Sequence, residues 1–290
     1  MVGALHATPL LFYDCLCSLF MYICDNRIFN HKMPDNILTP REIRHYSRQI
    51  MLPGIGTGGQ EKIKRAKVLV VGAGGLGCPV LQYLAAAGVG KIAIAEFDTV
   101  NETNLQRQVL YGSGDLGKLK SIIAANRIEL LNNLIETEKI NLRIDASNSL
   151  PVIKDYDIIV DATDNYETRY IINDSCVILN KPMVHGAVYK YEGQVSVFNY
   201  LGGPTYRCYN PQIKDQNFKN PQPAEVGLLG VLPGITGTFM ANEVIKIITE
   251  NGNVLSGKVL IFNIYDYAFN IMEIMNIPEN HNINRLKDNY

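Results

Sequence analysis

A glycine-rich turn directly follows a short apolar run in this sequence. The run Val68–Val71 has four consecutive apolar residues, which is typical of a strand buried on both faces. Gly72, Gly74 and Gly77 come next with the spacing G-x-G-x-x-G. Glycines at this spacing let the chain turn tightly and approach a phosphate, while the next helix offers N–H groups and a positive dipole end. The pattern predicts a nucleotide site, and a glycine turn without a ligand is the alternative.

A carboxylate lies at the end of the next predicted strand. The glycine turn leads into a predicted helix over Leu76–Ala87, with Gly88 just past its end. The next strand, Lys91–Glu96, places an acid 21 residues after Gly75. That position suits a side chain that accepts hydrogen bonds from ribose hydroxyls. Strand, turn, helix, strand and acid together favour the nucleotide interpretation.

Polar and cationic residues come after this strand. The segment Asn101–Gln108 is dense in amide side chains and includes Asn104 and Arg107. In an open α/β sheet, ligands bind beyond the carboxyl ends of the parallel strands, which is where this segment begins. Lys118 and Lys120 open the next predicted helix. These lysines are either surface charges or reach back over bound phosphates.

A second acid comes after another buried strand. The strand Asp157–Asp161 leads into the residues Ala162–Asn165. Asp164 lies in this segment, where a carboxylate is well placed to bind Mg²⁺ or a nucleotide. A helix is predicted over Tyr166–Leu179, so Asp164 could instead cap its first turn. The residues alone leave both roles open.

The elements that position these residues extend along most of the chain. A predicted helix beginning at Pro40 carries Arg44 and Arg48, whose spacing of four places both cations on one face, by default a solvated face. Strands are predicted over Met183–Gly186, Gly193–Asn199, Lys258–Ile264 and Phe269–Met275, a helix over Ile235–Thr249, and a mobile loop over Thr205–Ala224.

Composition limits the classes of protein to which the chain can belong. Its 290 residues are 47% hydrophobic and 19% charged, as in ordinary globular proteins, and the length allows one large domain or two smaller ones. The net charge of −1 gives no electrostatic footprint for nucleic acid. The six cysteines form no C-x-x-C pair, which argues against a disulfide framework and a four-cysteine zinc site and favours reduced thiols in a cytoplasmic protein.

The first 32 residues differ in character from the rest of the chain. The run Leu10–Cys24 is apolar over about fifteen residues but contains Asp14, so it is too short for a membrane span, and it lacks the basic start and cleavage site of a secretory signal. We expect the native chain to begin at Met33, and a membrane anchor is the alternative. The predicted division is a non-native or disordered extension over residues 1–32, a single domain over residues 33–276 and a polar tail over residues 277–290.

Seven segments of the chain match, in order, the motifs of one known family. They are RHYSRQI, GAGGLG, EFD with TNLQRQ, GKLK, DATDN, HGAVYKYEGQVSVF and VGLLGVLPGITGTFMANEVIK. Together they resemble the MoeB/ThiF/HesA adenylyltransferases, which are bacterial relatives of ubiquitin-activating enzymes. The resemblance covers about Thr39 to Met275. It implies an α/β fold with a Rossmann-like doubly wound sheet, parallel in its N-terminal part and antiparallel in its C-terminal strands.

The resemblance implies an enzyme that activates the C-terminal Gly-Gly carboxylate of a ubiquitin-like sulfur carrier protein. The carboxylate attacks the α-phosphate of ATP, pyrophosphate leaves, and an acyl-adenylate forms. Because a carboxylate and a triphosphate repel each other, such a site must supply cations and Mg²⁺ where negative charge builds up. The implied carrier belongs to the thiamine-thiazole or the molybdopterin pathway, and neither nucleic acid nor a membrane is an expected partner.

The family's site residues map onto this chain motif by motif. The resemblance assigns Gly74 and Gly75 to the nucleotide turn, Glu96 to the ribose, Asn104, Arg107 and Gln108 to the phosphates, Lys120 to the polyphosphate, Asp164 to Mg²⁺ and Asn165 to a place beside it. It assigns Arg48 to the site of the other subunit of an obligate homodimer, so that the catalytic residues are Arg48, Arg107, Lys120 and Asp164. Much of the family has an aspartate where this chain has Glu96.

The cysteines depart from the family pattern. Many relatives bind zinc through two C-x-x-C pairs, but here the first pair retains only Cys208 and the second is replaced by the cysteine-free Pro278–Ile283, so zinc is not expected. Relatives that form a covalent link to their carrier use a cysteine where this chain has Pro223. We therefore expect adenylation only, with sulfur delivered by a separate persulfide donor. A thiol role for Cys208 is the alternative.

Three other classes of protein compete with this interpretation. A nicotinamide-dependent dehydrogenase would explain the glycine turn and Glu96, but hydride transfer does not need the phosphate and metal chemistry of Arg107, Lys120 and Asp164. The tRNA threonylcarbamoyladenosine dehydratases share the ATP site, although the near-neutral charge argues against RNA. A catalytically inert dimer is disfavoured because the polar site residues are all present.

Overall fold

The computed structural model describes residues 37–211, residues 227–287 and Tyr290. The chain divides into two units, Met1–Thr39 and Pro40–Tyr290, and the second contains every element described below. The predicted extension over residues 1–32 lies outside the described residues, as does most of the predicted loop over Thr205–Ala224.

One sheet of eight strands organises the described part of the second unit. In chain order the strands are β1 (Lys67–Val71), β2 (Lys91–Ala95), β3 (Glu136–Ile140), β4 (Ile158–Asp161), β5 (Met183–Tyr189), β6 (Glu192–Phe198), β7 (Lys258–Asn263) and β8 (Ala268–Glu273). Their spatial order is β3-β2-β1-β4-β5-β6-β7-β8. Strands β1 to β5 pair in parallel, and β6, β7 and β8 are added antiparallel. The predicted mixed sheet is confirmed.

Helices connect the strands. Among the described residues they are α1 (Pro40–His45), α2 (Ser47–Ile50), α3 (Gly56–Arg65), α4 (Gly77–Ala87), α5 (Lys120–Leu131), α6 (Ser149–Ile153), α7 (Tyr166–Ile178), α8 (Tyr206–Tyr209) and α9 (Val231–Thr249). Short 3₁₀ turns span Glu102–Asn104, Ser113–Asp115 and Pro278–His281. The helix predicted from Pro40 is interrupted at Tyr46, which separates α1 from α2.

Two apolar layers cover the two faces of the sheet. Alternate residues of β1 point to opposite faces, so Val68 and Val70 lie in the layer formed with α4, α5 and α9. Leu69 and Val71 lie in the other layer, which includes residues of α6, α7 and α8. Because both faces are buried, the parallel strands are apolar along their length rather than alternating. The sheet is therefore doubly wound, as expected.

Helix α9 is the one helix of the described residues that is long and apolar enough to cross a membrane. It packs on the sheet instead: Leu232, Met240 and Val244 are fully buried, and a Cβ on Gly186 of β5 would lie 2.3 Å from the sulfur of Met240. Its apolar composition is thus that of a core helix. It begins four residues before the predicted start, with Pro233 in its first turn, where a missing N–H is tolerated.

Three elements depart from the sequence prediction. β3 is an edge strand with the sequence ETEKI, and its partly exposed, charged residues give no apolar signal. The helix α6, which has only five residues, was not predicted from the sequence. The prediction of a loop from Thr205 is wrong for its first residues, because Tyr206–Tyr209 form α8 and Tyr206 is buried among other aromatic rings.

Candidate functional site

The glycine turn joins β1 to α4 at the centre of the parallel part of the sheet. Gly72 has a φ of +93°, and a Cβ at this residue would lie 2.8 Å from the carbonyl oxygen of Ala162. A Cβ on Gly77 would lie 2.1 Å from the carbonyl oxygen of Gly72. Both positions therefore require glycine, and the turn is pressed against the segment after β4. This is the edge of the sheet where nucleotides bind in open α/β folds.

The carboxylate of Glu96 holds this turn to the end of β2. Glu96 is buried, and its Oε2 accepts a hydrogen bond from the N–H of Ala73 at 3.0 Å. Its Oε1 accepts from the N–H groups of Phe97 at 2.8 Å and Asp98 at 2.9 Å. The sequence did not indicate this structural role. The contact with a ribose stays a prediction.

Arg107 and Gln108 lie beside the turn. A Cβ on Gly75 would lie 3.5 Å from Cγ of Arg107, and a Cβ on Gly74 would lie 3.5 Å from Nε2 of Gln108. Gln108 is buried, and its Oε1 has no hydrogen-bond partner among the described residues. Buried polar groups are normally paired, so Gln108 is an exception that lies beside the turn.

Asn104 fixes the segment that carries these two side chains. Its carbonyl oxygen accepts from the N–H of Arg107 at 3.0 Å and from the N–H of Gln108 at 2.9 Å. The side chain of Asn101 caps the preceding 3₁₀ turn by accepting from the N–H of Thr103 at 3.1 Å. The amide-rich segment is therefore an ordered loop at the nucleotide edge.

Lys120 begins α5, and its side chain is buried. Its Nζ lies 3.5 Å from Oδ2 of Asp98, whose own side chain is exposed. Backbone hydrogen bonds of 2.9 Å join Lys120 to Asp98 and Val100 to Lys118, so the chain after β2 and the start of α5 form one unit. A buried ammonium group with a long contact to an exposed carboxylate is well placed for a second anion.

Asp164 and Asn165 come after β4 at the same edge of the sheet. Asn165 is the N-cap of α7, because its Oδ1 accepts from the N–H of Thr168 at 2.9 Å. The alternative role of Asp164 as the cap of this helix is therefore wrong. Asp164 is exposed and follows by two residues Ala162, whose carbonyl lies close to Gly72 of the turn.

Arg48 is the one candidate that the fold does not bring to this edge. It is exposed on α2, next to Gln49, whose Nε2 donates to the carbonyl of Ala87 at 3.1 Å. Ala87 ends α4, whereas the glycine turn precedes Gly77 at the other end of that helix. Eleven helical residues span about 16 Å, which is longer than an arginine side chain. Arg48 therefore cannot reach the nucleotide turn of its own chain.

The donors at this edge suit a magnesium ion that arrives with a nucleotide. The described residues contain no group of three or more His, Cys, Asp or Glu side chains that could hold a metal by themselves. Mg²⁺ is commonly held by one or two carboxylates together with substrate phosphates and water. A single exposed carboxylate, Asp164, fits that pattern, and binding of the ion stays a prediction.

A cavity that the sequence did not indicate adjoins this edge. It has a volume of about 270 Å³ and lies between β5, β6 and the helices α7 and α8. Its walls include Tyr166, Arg169, His185, Gln194, Tyr206 and Tyr209, and we call it the His185 cavity. In the sequence, His185 stands out only as the first residue of a family segment. Only the β4–β5 register, which pairs His185 with Asp161, brings it to this cavity.

His185 and Asp161 form a buried pair in the wall of the cavity. The Nδ1 of His185 lies 2.7 Å from Oδ2 of Asp161, and both residues are at most 2% exposed. Burial lowers the pKa of His185 below its ordinary value, although Asp161 opposes this effect. Burial also opposes ionisation of Asp161, but hydrogen bonds from His185 and Thr163 and the charge of Arg169 outweigh it, so its pKa lies below the usual range. Both directions favour a neutral imidazole beside a carboxylate.

Cys208, which the resemblance assigns to a zinc-ligand position of many relatives, is held by hydrogen bonds. Its Sγ accepts hydrogen bonds from the N–H of Ile277 at 3.4 Å and from Nδ2 of Asn280 at 3.6 Å. Burial raises the pKa of this thiol, but hydrogen bonds from Thr205, Ile277 and Asn280 outweigh that effect and lower the pKa below its ordinary value. The C-terminal residues thus contact α8 through a thiol. The absence of zinc stays a prediction.

Comparison with known sequences identifies similar proteins. The sequence model of the ThiF family matches residues 46–284. A sulfur carrier protein adenylyltransferase of Thermus thermophilus is 43% identical over 245 residues, which cover 83% of this chain and 90% of that protein. A probable molybdopterin-synthase adenylyltransferase of Porphyra purpurea is 45% identical over 81% of this chain, and an adenylyltransferase and sulfurtransferase of Aedes aegypti is 45% identical over 82%. The chain spans 61% and 54% of the length of these two proteins.

Solved structures show the same fold. Escherichia coli MccB with MccA-N7isoASN superposes with a TM-score of 0.73 over 93% of this chain and 81% of that one, at 21% identity. PaaA superposes with a TM-score of 0.71 over 91% of this chain and 83% of that one, at 22% identity. At these identities the superpositions concern the fold alone.

Proposed function

The chain belongs to the ThiF family, and we propose that it catalyses ATP-dependent adenylation of the C-terminal Gly-Gly carboxylate of a ubiquitin-like sulfur carrier protein, with release of pyrophosphate. The observation that supports this most directly is that Arg107 lies beside Gly75 of the turn, with Lys120 buried and joined to the segment after β2 and Asp164 on the segment after β4. The Thermus and Porphyra relatives are both named as adenylyltransferases.

The cations near the turn offset the charge repulsion that opposes this reaction. A carboxylate must approach the α-phosphate of a polyanion, so the site has to compensate negative charge before the new bond forms. The buried ammonium group of Lys120 and the guanidinium of Arg107 lie on the segments that border the turn. Lys120 binds the polyphosphate and Arg107 the phosphates near the reacting bond. Asn104 and Gln108 border the same phosphates.

Asp164 would hold the magnesium ion of the nucleotide, with Asn165 directly beside it in the chain. A bound Mg²⁺ would neutralise charge on the phosphate oxygens. Because Asn165 caps α7, it fixes the backbone next to Asp164. Glu96 holds the turn itself and lies close enough to its residues to border the ribose.

The active unit is a homodimer in which Arg48 of one subunit completes the site of the other. Arg48 is exposed and lies at the far end of α4 from its own turn. Arg48 can therefore act only in the site of a second copy, where it would add a cation to Lys120 and Arg107 of that subunit. Closed two-fold dimers exchange equivalent surfaces, so both sites would be completed in the same way.

The carrier docks at the free edge of the sheet. β8 pairs with β7 and has no other neighbour among the described strands. Its residues Phe269 and Ile271 are 55% and 61% exposed, and Met275 just beyond it is 79% exposed. An apolar surface on an unpaired edge strand is typical of a protein interface. A carrier bound there can extend its C-terminal tail along the sheet toward the turn.

Sulfur reaches the activated carrier from a separate persulfide donor in the cytoplasm. One relative is named as both an adenylyltransferase and a sulfurtransferase, and this chain spans 54% of it. The carrier belongs to the thiamine-thiazole or the molybdopterin pathway. Cys208 is used for packing, because its sulfur is surrounded by donors from the C-terminal residues.

ATP–pyrophosphate exchange tests the proposal. Purified chain with Mg²⁺ is incubated with radiolabelled pyrophosphate and with a thiamine-type or a molybdopterin-type carrier that ends in Gly-Gly. Exchange with one carrier that disappears in the Arg107→Ala and Asp164→Ala variants is the expected result. The exposed Glu102→Ala variant is the matched control, because it lies in the same loop segment.

The same assay separates the competing functions. ATP binding without exchange for either carrier would contradict the assignment of the substrate. Transfer RNA carrying a threonylcarbamoyl group would then be the next substrate to test. Absence of any ATP binding would contradict the nucleotide site itself.

A further inference from the structure

A buried tyrosine hydroxyl holds a backbone carbonyl of the glycine turn. The Oη of Tyr111 donates a hydrogen bond of 2.7 Å to the carbonyl oxygen of Ala73, although the two residues are 38 positions apart in the chain. Tyr111 is 7% exposed, and Ala73 is fully buried. Burial raises the pKa of the Tyr111 hydroxyl above its ordinary value, so the group keeps its proton and stays a donor. The Sγ of Cys78 lies 3.5 Å from the same oxygen, but a thiol is the weaker donor of the two.

Side chains from other segments bind both backbone polar groups of Ala73. Its N–H donates to the carboxylate of Glu96 at the end of β2, and its carbonyl accepts from Tyr111. No backbone group of the described residues forms a hydrogen bond with Ala73. Each side chain fixes one of the two peptide units that meet at Ala73. The orientation of this part of the turn therefore depends on Glu96 and Tyr111.

The hydroxyl of Tyr111 also determines where the N–H of Gly74 points. Ala73 and Gly74 share one peptide unit, and no peptide bond of the described residues is cis. In a trans unit the carbonyl and the following N–H point in opposite directions. The carbonyl of Ala73 faces Tyr111, which lies in the apolar layer formed with α4. The N–H of Gly74 therefore points away from Tyr111, and Gly74 is partly exposed.

The N–H groups of the turn are available to a ligand. Neither Gly74 nor Gly75 donates a backbone hydrogen bond within the part of the chain that the structure describes. Successive N–H groups of this kind in a turn form a concave site for anions, and the dipole of the following helix α4 adds positive potential. Arg107 lies beside Gly75, so a cationic side chain adjoins the same groups.

Tyr111 also belongs to the segment that carries Arg107 and Gln108. Its own N–H donates to the carbonyl of Gln108 at 3.1 Å. A single residue thus ties the glycine turn to the side chains assigned to the phosphates. Loss of this link would let the N–H groups of the turn move relative to those side chains.

We propose that Tyr111 is a positioning residue of the nucleotide site, and that its hydroxyl orients the Ala73–Gly74 peptide so that the N–H of Gly74 donates to a phosphate oxygen of ATP. The inference rests on the proposed function and adds to it a residue that does not touch the nucleotide. Tyr111 acts through Ala73, because its own hydroxyl is buried and already bound. Without the hydroxyl, the peptide unit can rotate and the N–H of Gly74 no longer has one fixed direction.

The first test removes the hydroxyl and compares two ligands by calorimetry. In Tyr111→Phe we expect the Kd for ATP with Mg²⁺ to rise about fivefold, because one hydrogen bond to a phosphate is weakened. The Kd for adenosine, which has no phosphate, should stay within about twofold. Incorporation of 4-aminophenylalanine at position 111, which keeps an N–H donor at the end of the ring, should restore most of the ATP affinity. A merely structural defect would weaken both ligands alike, and that result would overturn the inference.

Tyr156→Phe is the matched control. Tyr156 is 3% exposed, and its hydroxyl donates to Glu138 of β3 at 3.0 Å. It precedes β4, whereas the glycine turn comes after β1, which is parallel to β4. The two tyrosines therefore act at opposite edges of the sheet. Tyr156→Phe loses a comparable hydrogen bond and should leave the Kd for both ligands unchanged.

The second test observes the peptide unit in the unmodified protein by NMR. The sequence contains Ala-Gly pairs at residues 73–74 and 87–88, so ¹³C-labelled alanine carbonyls with ¹⁵N-labelled glycine select the N–H groups of Gly74 and Gly88. Gly88 lies past the far end of α4 and is the internal control. We expect the amide proton of Gly74 to shift downfield with ATP but not with adenosine, while Gly88 does not respond. The Ala87→Ser variant removes the Gly88 signal and so assigns the other one.

The outcomes distinguish this inference from the proposed function. If the unmodified protein binds ATP and supports exchange but the Gly74 signal does not respond to saturating ATP, the inference is overturned and the adenylation assignment stands. Equal Kd values for ATP in Tyr111→Phe and in the unmodified protein would overturn it in the same way. The spectrum needs no substitution of Tyr111, so it decides the matter even if Tyr111→Phe fails to fold. If the unmodified protein binds no ATP, the proposed function fails and this inference fails with it.

Discussion

The carboxylate of Glu96 accepts a hydrogen bond from the backbone N–H of Ala73 at 3.0 Å, so the end of β2 holds the glycine turn that comes after β1. The same carboxylate accepts from the next two backbone N–H groups of its own strand end. An acid at this position therefore has a structural task before any nucleotide binds. A glutamate side chain reaches Ala73 from the end of β2, which gives a reason for a glutamate here where much of the family has the shorter aspartate.

Replacing Glu96 by alanine should reduce both stability and nucleotide binding. The substitution leaves three buried or partly buried N–H groups without their acceptor, and an unpaired buried group costs about 1–3 kcal/mol. We expect the free energy of unfolding in urea to fall by about 2 kcal/mol and the Kd for ATP to rise. Glu102→Ala, an exposed acid, should change neither quantity. An unchanged unfolding free energy in Glu96→Ala would contradict the structural role.

Asp164 and Asn165 should respond differently to substitution although they are neighbours. Asp164→Asn changes an exposed side chain, so we expect an unchanged melting temperature and a loss of Mg²⁺-dependent exchange. Asn165→Ala removes the cap of α7, which costs about 1 kcal/mol, and should lower the melting temperature. Differential scanning fluorimetry and exchange assays measure the two effects. A destabilised Asp164→Asn would contradict the assignment of the cap to Asn165.

The sheet could be predicted from the sequence because its central strands are apolar on both faces. Val68–Val71 and Asp157–Asp161 show this pattern, and the structure places β1 and β4 there. The edge strand β3 escapes prediction because ETEKI has no apolar face to detect. The predicted start of α9 is too late because Pro233 and Gly234 resemble a helix boundary, whereas proline is accepted in a first helical turn.

The site was predictable where a motif brings its residues together locally. The turn, Glu96, Arg107 and Lys120 lie on consecutive segments around one strand end. The His185 cavity joins residues from β5, β6, α7 and α8, and only the parallel register of β4 with β5 brings His185 to Asp161. Long-range contacts of this kind have no signature in a single sequence.

Acid should destabilise the protein through His185. Burial lowers the pKa of His185 below 6.5, so the unfolded chain binds a proton that the folded chain does not, and stability is lost as the pH falls below about 6.5. The loss is at most about 1.4 kcal/mol per pH unit for one group. Asp161 also makes the protein less stable as the pH falls, but at lower pH, because its pKa is lowered in the folded state. Urea unfolding between pH 7.5 and 5 measures the slope.

The variant His185→Gln isolates this effect, since it removes the titrating ring and keeps a polar side chain. We expect its stability to vary less with pH between 7.5 and 5 than that of the unmodified protein. His281→Gln, a histidine outside the cavity, should retain the original pH dependence. Parallel pH curves for the unmodified protein and His185→Gln would show that His185 is not the titrating group.

Cys208 should be dispensable for chemistry. The hydrogen bonds around its sulfur lower the pKa of the thiol, so it should react with iodoacetamide faster than the buried Cys78, whose pKa burial raises to about 12. Cys208→Ser should nevertheless support adenylation and formation of the carrier thiocarboxylate with a persulfide donor. Mass spectrometry of the carrier measures both products. Adenylation without thiocarboxylate in Cys208→Ser would assign a catalytic role to this thiol.

Arg48 provides a test of the composite site. If Arg48 acts in the partner's site, Arg48→Ala and Arg107→Ala should each be inactive in ATP–pyrophosphate exchange, and a mixture of the two should recover activity. In a mixed dimer, the subunit with an intact Arg107 receives the intact Arg48 of its partner, so one of its two sites is complete. Random exchange of subunits makes half of the dimers mixed, which restores about a quarter of the sites.

The control for this experiment is Arg44→Ala, which removes a second exposed cation from the adjoining helix α1. It should keep its activity alone and should not complement Arg107→Ala beyond the level that its own intact sites supply. The recovered activity should also fall on dilution, because it requires association of two chains. A monomer with full activity, or a mixture of Arg48→Ala and Arg107→Ala that stays inactive although mixed dimers form, would refute the exchange of Arg48 between subunits. Arg48 lies too far from the turn of its own chain to act there. Any positive charge at the phosphates beyond that of Arg107 and Lys120 would then come from another residue.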